Sequence, residues 1–447
     1  MLIRSISGIR GLVKEDLNRD AIIQYANALH TTLKPGVVYA GRDSRPSGET
    51  IIEIMIEELL KRGRTVIYCG IVPTPTIQFM VHTTEAVGGF IITASHNPID
   101  WNGIKFVRED STFFHLKDCE KLFGDADNFT PDSLHEQEKG MLWEEKNAIH
   151  KHTVKCTSLE CINLDNIRQK KFKVVIDAVN GAGSHALPAM LELLGCEVII
   201  LNCEPNGEFP RGAEPLPDNL TSLGEAVRSH NADAGFATDP DGDRLAIVDE
   251  NGNPLGEEYT LTICADGLFK SNSSHASIVT NLSTTMALDN LAKQYGQSVI
   301  RSAVGEINVV NKMKEVGAVL GGEGNGGVIL PESHYGRDSL VGAAMFLNRM
   351  TQDALKVSEI FKSMPQYAMV KDKIKLGSID PQMALDKIES TYTDANFDKT
   401  DGLKLSWENS WVHIRKSNTE PIIRIYAEAQ SQNEVDSILT DIKKILS

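Results

Sequence analysis

The sequence predicts the α/β fold class: three tandem α/β domains with mostly parallel, mixed sheets, and a smaller C-terminal α+β domain. The first observation behind this prediction is a repeated unit at residues 36–63, at 173–201 and from about 276 onward. Each unit has a short apolar strand, a turn rich in glycine and Ser/Thr/Asp, and an amphipathic helix. Strands that alternate with helices in this way form mostly parallel sheets covered by helices. The second observation is the length, because 447 residues suit three or four compact domains.

The individual elements follow from local patterns. In the first unit, residues 37–40 are predicted to form a buried strand, and residues 51–60 carry apolar residues at helical spacing. Residues 125–158 are polar and without a clear period, so they are predicted to be linker and surface, and the proline-rich residues 206–221 to be an extended loop.

The C-terminal part has a different pattern. Residues 403–406 and 411–415 alternate between apolar and polar side chains like antiparallel strands, residues 422–427 form a third strand, and a closing helix begins near Gln432. This pattern is typical of a small α+β domain. The predicted boundaries give four consecutive domains: 1–150, 151–252, 253–365 and 366–447.

Composition and charge exclude several function classes. Hydrophobic residues make up 41% and charged residues 24% of the chain, which argues against disorder. The formal net charge of −16 argues against nucleic-acid and anionic-membrane partners, because both need a basic surface. No apolar run reaches the ~18–20 residues that cross a bilayer, and the start lacks the apolar core of a signal peptide. With seven scattered cysteines, the sequence predicts a cytoplasmic protein with free thiols.

The strongest local signal for chemistry is the acidic turn, residues 239–244 (DPDGDR), between two apolar runs. Alternating positions send Asp239, Asp241 and Asp243 to one side of an extended backbone. Converging carboxylates repel one another unless a cation neutralises them, and oxygen ligands suit a hard ion such as Mg²⁺. The alternatives are a solvated turn and part of a calcium loop, although an EF-hand needs glycine at its sixth position, where Arg244 stands.

A second signal is the serine turn, residues 93–98 (TASHNP), directly after the apolar residues 88–92. A serine at the carboxyl end of a buried parallel strand lies where α/β proteins present reactive groups. The competing interpretation is an ordinary turn, because Ser, Asn and Pro are common turn residues. Acyl transfer is not supported, since the chain has no GxSxG elbow.

Four further segments place arginines or glycines at turn positions. Residues 415–421 (RKSNTEP) with nearby Arg424 combine guanidinium groups, hydroxyls and backbone N–H groups, which fits a phosphate-binding loop. The glycine loop, residues 321–327 (GGEGNGG), lets backbone approach a ligand, and a Walker loop is excluded because no GK[ST] follows. Residues 7–11 (SGIRG) and 41–45 (GRDSR) add arginines. A charged surface loop is the plain alternative for residues 415–421, and a run of paired surface arginines is the alternative for residues 7–11 and 41–45.

Taken together, these motifs resemble the α-D-phosphohexomutase superfamily, which includes phosphoglucomutases, phosphomannomutases and phosphoglucosamine mutases. SGIRG, TASHNP, DPDGDR, a loop beginning GGE and RxSNTEP occur in the family's order over the whole chain. The resemblance implies four domains around a central active-site cleft. It implies an isomerase that transfers a phosphoryl group reversibly between the 1- and 6-positions of a hexose phosphate through a phosphoserine. A hexose 1,6-bisphosphate would serve as intermediate and activator.

The resemblance also implies roles for individual residues. One Mg²⁺ per chain would be held by the metal ligands Ser95, Asp239, Asp241 and Asp243. The implied catalytic residues are the phosphoserine Ser95, His96 and Lys105 as candidates for proton transfer, Arg244 facing the phosphate, and Arg10. The implied substrate-binding residues are Glu323, Asn325, Arg415, Ser417, Asn418, Thr419 and Arg424.

The chain departs from the better-known family pattern in the glycine loop. Relatives read GGEQSGH or GExSGH there, so Gly327 stands where they carry a histidine, and Glu306 lies in a segment where many relatives carry a basic residue. The Glu-x-Asn-Gly arrangement favours a phosphoglucosamine mutase, with a broad phosphoglucomutase/phosphomannomutase as the alternative. A non-catalytic sugar-phosphate binder and a nucleotide-binding kinase are further alternatives. The implied partner is a small hexose phosphate, and the chain is expected to be a monomer or homodimer.

Overall fold

A computed structural model describes residues 2–130, 138–271, 277–375, 380–416 and 422–446. Over these residues the chain forms four sheets, which follow one another along the sequence. The first three are mixed sheets with helices, and the fourth is antiparallel. The predicted fold class is therefore confirmed.

The first sheet has seven strands in the order β1-β2-β6-β5-β3-β4-β7. Its strands are β1 (Ile3–Ser5), β2 (Gly8–Leu12), β3 (Val38–Arg42), β4 (Val66–Ile71), β5 (Gly88–Ile92), β6 (Trp101–Arg108) and β7 (Leu142–Glu144). Its helices are α1 (Arg19–Thr32), α2 (Ser47–Lys61), α3 (Thr74–His82) and α4 (Leu116–Asp127). Strands β5, β3, β4 and β7 pair in parallel. Every residue of β5 is buried, as its unbroken apolar run requires, and the serine turn follows it directly.

The second sheet has the order β11-β10-β8-β9 and is parallel except for β11. Its strands are β8 (Lys173–Asp177), β9 (Glu197–Leu201), β10 (Ala234–Thr238) and β11 (Leu245–Val248). The accompanying helices are α5 (Ala148–Thr157), α6 (Leu164–Lys170), α7 (Gly183–Leu193) and α8 (Thr221–His230). The acidic turn joins β10 to β11, so it projects from the carboxyl end of a wholly buried strand.

The third sheet has the order β13-β12-β14-β15. Its strands are β12 (Ile278–Asn281), β13 (Val299–Ser302), β14 (Leu320–Glu323) and β15 (Gly327–Ile329). Its helices are α9 (Glu258–Lys270), α10 (Ala287–Gln294), α11 (Glu306–Val316), α12 (Ser339–Gln352) and α13 (Val357–Ser363). The glycine loop contains the connection from β14 to β15. Each of the three α/β units thus carries one predicted site segment where a strand ends.

The fourth sheet is antiparallel with the order β16-β20-β19-β18-β17. Its strands are β16 (Ala368–Lys375), β17 (Asn396–Asp398), β18 (Leu403–Ser406), β19 (Trp411–Lys416) and β20 (Ile422–Ala429). The helices α14 (Pro381–Thr391) and α15 (Gln432–Leu446) cover it. The three predicted strands are present, and β16 and β17 extend the sheet at its two edges.

The second and third units share one hydrophobic core. Phe236 of β10 meets Phe346 of α12 edge to face, with ring centroids 5.8 Å apart. Helix α5 packs into this core, although residues 125–158 were predicted to be linker and surface. That prediction was wrong for α5, because its inward positions include His152 and Thr153, which hydrophobic periodicity does not detect. Among the described residues, no helix has the length and apolar character needed to span a membrane.

Candidate active site

The acidic turn brings three carboxyl groups together in the interior of the protein. Asp239, Asp241 and Asp243 are all buried, and one carboxylate oxygen of each lies within 4.8 Å of the others. Burial and the two neighbouring carboxylates raise the pKa of Asp239 well above its ordinary value. The predicted convergence of the three side chains therefore occurs.

Two side chains from the first domain bind this turn. Thr74, at the start of α3, donates its hydroxyl to Asp241 Oδ2 at 2.8 Å, and Lys105 of β6 places its ammonium 2.6 Å from the same oxygen and 3.5 Å from Asp243. Burial alone would raise the pKa of Asp241, but Lys105 beside it lowers that pKa. Burial would likewise lower the pKa of Lys105, yet the two aspartates raise it, so the ammonium stays charged.

The residues of the acidic turn fit a hard divalent cation. The Oδ1 atoms of Asp241 and Asp243 are buried and have no hydrogen-bond partner within the described ranges. Unsatisfied buried carboxylate oxygens cost free energy, and a cation that binds oxygen ligands removes that cost. The donor set contains only oxygens, which suits Mg²⁺ better than a transition metal.

The serine turn faces the acidic turn from the first domain. Ser95 is buried and adopts a left-handed backbone with φ of 50°, and its Oγ lies 3.3 Å from Asp239 Oδ2. A left-handed conformation is costly for serine, and such residues concentrate at functional sites. The backbone N–H of Ser95 donates to Thr93 Oγ1 at 2.9 Å, which helps to fix the turn.

Sequence reasoning noted the GRDSR segment but missed its role. Arg45 is completely buried, pairs with Asp43 and donates Nη2 to the backbone carbonyls of Ser95 and Asn97 at 2.7 and 2.6 Å. Asp43 also accepts from the Thr93 hydroxyl at 2.7 Å. Arg45 is therefore not a solvated surface arginine. Together with Asp43, it holds the serine turn in place.

Three more predicted residues lie around the serine. Arg244 donates to His96 Nδ1 and to Glu214, both at 3.2 Å, and Arg10 donates to the Asn97 side chain at 3.2 Å. Burial, Arg244 and Arg10 together lower the pKa of His96, so its imidazole is neutral. Burial and the nearby charge of Arg244 also lower the pKa of Arg10, although Asp241 opposes that shift. Guanidinium groups grouped beside a serine hydroxyl suit an anionic ligand.

The glycine loop holds its acidic residue firmly. Glu323 Oε1 accepts from the Asn281 side chain at 2.8 Å and from the Gly305 N–H at 3.1 Å, and Oε2 accepts from Asn325 at 3.4 Å and from Arg337 at 3.1 Å. Glu323 and Asn325, both predicted to contact substrate, are thus neighbours. The long Asn325 contact is the weakest of the four and the easiest for a ligand to replace.

One residue of this region, Arg337, was missed by the sequence analysis. Arg337 contacts Glu323, Glu306 and Asp243, and its side chain fills the space above Gly327, the position where relatives carry a histidine. In the sequence, Arg337 is one arginine among many, and only its position in the fold distinguishes it.

One cavity of about 440 Å³ joins these segments. Among its lining residues are His96, Arg244, Glu214, Glu257, Glu258, Glu323, Asn325, Lys371, Arg415 and Arg424. Arg415 and Arg424 stand directly opposite each other on β19 and β20. Like charges in that position repel, so an anion between them would be stabilising. Ser417, Asn418 and Thr419 lie outside the described residues.

A further ion pair in the cavity joins the third and fourth domains. Lys371 of β16 contacts Glu257 at 2.6 Å and Glu258 at 2.7 Å, and it donates to the Gly324 carbonyl at 3.2 Å. Burial raises the pKa of Glu258 to about 7 despite Lys371. The sequence reasoning assigned no role to these three residues.

The comparisons with known proteins agree with this geometry. Residues 2–127, 151–252 and 256–367 match alpha/beta/alpha domains I, II and III of phosphoglucomutase/phosphomannomutase, and residues 368–445 match its C-terminal domain. A phosphoglucomutase/phosphomannomutase of Thermococcus kodakarensis is 34% identical over 97% of this chain and 95% of its own length. The chain belongs to the phosphoglucomutase/phosphomannomutase family. The predicted superfamily and enzyme class, a phosphohexomutase and hence an isomerase, are confirmed.

Two further similar proteins, one compared by sequence and one by structure, support the family assignment. A probable phosphoglucosamine mutase of Methanopyrus kandleri is 31% identical over 98% of this chain and 96% of its own. A crystal structure of a phosphoglucomutase/phosphomannomutase family protein from Burkholderia thailandensis matches with a TM-score of 0.86 at 25% identity. It covers 99% of this chain and 98% of that one. The family thus extends over all four domains.

Proposed function

We propose that this phosphohexomutase interconverts the 1- and 6-phosphates of a hexose, with glucosamine phosphate as the preferred substrate, through a phosphoserine at Ser95. The observation that carries the proposal is the approach of Ser95 Oγ to Asp239, within a turn whose Asp241 and Asp243 offer unpaired oxygens. Phosphoryl transfer needs little beyond in-line placement and neutralisation of charge, and a cation on the acidic turn together with the neighbouring arginines would supply the neutralisation.

The reaction would proceed through two successive phosphoryl transfers. In the first, the bond between phosphorus and Ser95 Oγ breaks, the substrate's free hydroxyl oxygen bonds to phosphorus and loses its proton, and Ser95 Oγ gains a proton. The hexose 1,6-bisphosphate then turns around. In the second transfer, Ser95 Oγ bonds to the other phosphorus and loses its proton, while the bond between that phosphorus and the sugar oxygen breaks and the sugar oxygen gains a proton. Neutral His96 has Nδ1 3.5 Å from Ser95 Oγ and is the candidate to exchange the serine proton.

Charged groups on both sides of the cavity would hold the phosphates. Mg²⁺ bound by Ser95 and the three aspartates of the acidic turn would neutralise phosphoryl oxygens. Arg10 and Arg244 would hold the reacting phosphate, and Arg415 and Arg424, with Ser417, Asn418 and Thr419, the other one. Lys105, which contacts Asp241 and Asp243, is the other candidate to handle the hydroxyl protons.

The preference for an amino sugar rests on the middle of the cavity. Glu257, Glu258 and Glu323 line it, and carboxylates there favour sugar hydroxyls and a 2-ammonium group. The relative from Methanopyrus kandleri carries a phosphoglucosamine mutase name. The relative from Thermococcus kodakarensis carries the broader name, which keeps a general hexose phosphate mutase as the second candidate.

The test is a side-by-side coupled assay on glucosamine 6-phosphate, glucose 1-phosphate and mannose 1-phosphate with catalytic hexose 1,6-bisphosphate. Peptide mapping should find phosphate on the Ser95 peptide, and substrate should remove it. Ser95→Ala should lose activity by orders of magnitude, while Ser229→Ala, at an exposed site on α8, should not. A Ser95→Ala variant that keeps more than a few per cent of activity would refute the mechanism. Better turnover of glucose or mannose phosphate would refute only the amino-sugar preference.

A further inference from the structure

The glycine loop carries no side chain at residue 327, and the structure shows what takes that space. A Cβ placed on Gly327 would lie 2.2 Å from Arg337 Cδ and 2.8 Å from Arg337 Cγ. The Gly327 backbone is not left-handed, so the packing of Arg337 is the main obstacle to a side chain at that position. The methylene groups of Arg337 therefore occupy this space only because residue 327 has no side chain.

The guanidinium of Arg337 connects three acids from three different elements. Its Nη2 donates to Asp243 Oδ2 at 2.7 Å, its Nη1 to Glu323 Oε2 at 3.1 Å and its Nε to Glu306 Oε2 at 3.0 Å. Asp243 belongs to the acidic turn, Glu323 ends β14, and Glu306 begins α11. A planar guanidinium holds such partners along fixed donor directions, whereas the ammonium of a lysine is a compact point charge with freely rotating donors.

The backbone that carries Arg337 is itself anchored. The next residue, Asp338, is the N-cap of α12 and accepts from the Leu340 N–H at 2.9 Å. Its other carboxylate oxygen lies 2.9 Å from His152 Nε2 and 3.1 Å from His334 Nε2, and all three side chains are buried. The Arg337 side chain therefore starts from a rigid point.

We propose that Arg337 is a positioning residue for the mutase reaction: it replaces a side chain at residue 327 and holds Glu323 in fixed register with Asp243. The inference rests on the proposed function, in which Glu323 contacts the sugar and Asp243 holds the metal. Without the fork of Arg337, Glu323 loses one of its four donors and Glu306 loses its buried cation. The sugar would then be held in the wrong place relative to the serine turn.

The first test compares Arg337→Met with Arg349→Met as a matched control. Arg349, on α12, is buried even more deeply and is also paired with two acids, but these are Asp266 and Asp353, which are not residues of the candidate site. Arg337→Met should raise KM for the preferred hexose phosphate and lower kcat/KM by about 100-fold. Arg349→Met should lower the melting temperature and keep KM. Unchanged KM in Arg337→Met, with wild type active, would overturn the inference. Inactive wild type on every hexose phosphate would instead refute the proposed function.

The second test uses the packing of Gly327 against Arg337. It compares several variants, so its outcome does not depend on whether one of them is stable. Gly327→His alone should displace Arg337 and raise KM as strongly as Arg337→Ala does. The double variant Gly327→His/Arg337→Ala should be no worse than either single variant, because the imidazole then enters vacated space. A KM increase equal to the product of the two single effects would show independent residues and overturn the inference. Mg²⁺ titration of the same variants by calorimetry gives a readout separate from turnover.

Discussion

Two buried polar regions of this molecule look alike in composition but differ in how completely their polar atoms are paired. In the acidic turn, one carboxylate oxygen each of Asp241 and Asp243 has no hydrogen-bond partner in the described part of the chain. The junction between the third and fourth domains, where residues 282–286 meet β18, β19 and β20, is instead saturated. Ser283 contacts His413 at 2.8 Å, and Lys404 donates to the Leu282 carbonyl at 2.6 Å.

The same junction satisfies a buried acid completely. Glu428 accepts from the Thr285 hydroxyl, from the Met286 N–H at 2.7 Å and from Trp411 Nε1 at 2.5 Å. A buried network whose members are all paired rigidifies a joint, whereas unpaired oxygens await a ligand. The difference separates a binding site from a structural joint better than charge or burial does.

The largest expected effect comes from removing a charge from the acidic turn. Asp239→Asn should lower kcat by about 1,000-fold, because a ligand and a contact of Ser95 are lost. The metal-free protein should not lose stability, since carboxylate repulsion is relieved. Asp249→Asn is the matched control: this buried aspartate in the next turn is fully hydrogen-bonded. It should lose stability and keep Mg²⁺ dependence. Similar kinetics in Asp239→Asn and Asp249→Asn would contradict the distinction between the acidic turn and a fully hydrogen-bonded turn.

Acid should weaken the saturated junction. Burial lowers the pKa of His413 to about 4, with Lys404 and Arg415 adding to the effect and the Asp401 carbonyl opposing it. Below the ordinary value of about 6.5 the unfolded chain binds a proton that the folded chain refuses, so stability falls until the pH reaches about 4. The total loss should be about 3 kcal/mol. Urea unfolding of wild type and His413→Gln across this range measures it, and the variant should lack this component.

Changing the acid of the junction should have a smaller effect, on stability alone. Glu428→Gln turns an amide N–H₂ toward donors and leaves one unpaired, which costs about 1–3 kcal/mol. Glu434→Gln, on the exposed start of α15, should cost nothing measurable. Denaturant unfolding and kcat are measured on both. A loss of kcat in Glu428→Gln larger than the loss of stability explains would place this junction in the catalytic machinery.

The smallest expected effect concerns the proposed phosphate-binding role of Arg415 in the fourth domain. Arg415→Lys keeps the charge but loses the planar fork, so KM should rise about tenfold, which corresponds to ~1.4 kcal/mol. Arg424→Lys, on the neighbouring strand and exposed, should change KM less. Steady-state kinetics decide the point. If Arg415→Ala keeps the wild-type KM, this segment is only a surface loop.

Much of the site could be predicted because its residues are close in sequence or lie at strand ends. Asp239, Asp241 and Asp243 converge because they alternate within one turn, and Ser95 follows a buried strand whose apolar run was visible. The parts that could not be predicted depend on distant partners. Arg45 reads as a surface arginine until Asp43 and the carbonyl of Ser95 surround it.

The sequence by itself determined the four α/β and α+β units, the acidic turn, the serine turn and the glycine at residue 327, because local pattern and backbone freedom decide each of them. Only the tertiary structure decided that Arg337 fills the space above Gly327, that Lys371 joins Glu258 to the glycine loop, and that helix α5 is core. Such contacts join residues far apart along the chain, and no period or motif encodes them. The fold determines which residues lie beside a buried charge. Those neighbours determine whether the charged group is fully paired, as at a structural junction, or is available to a ligand.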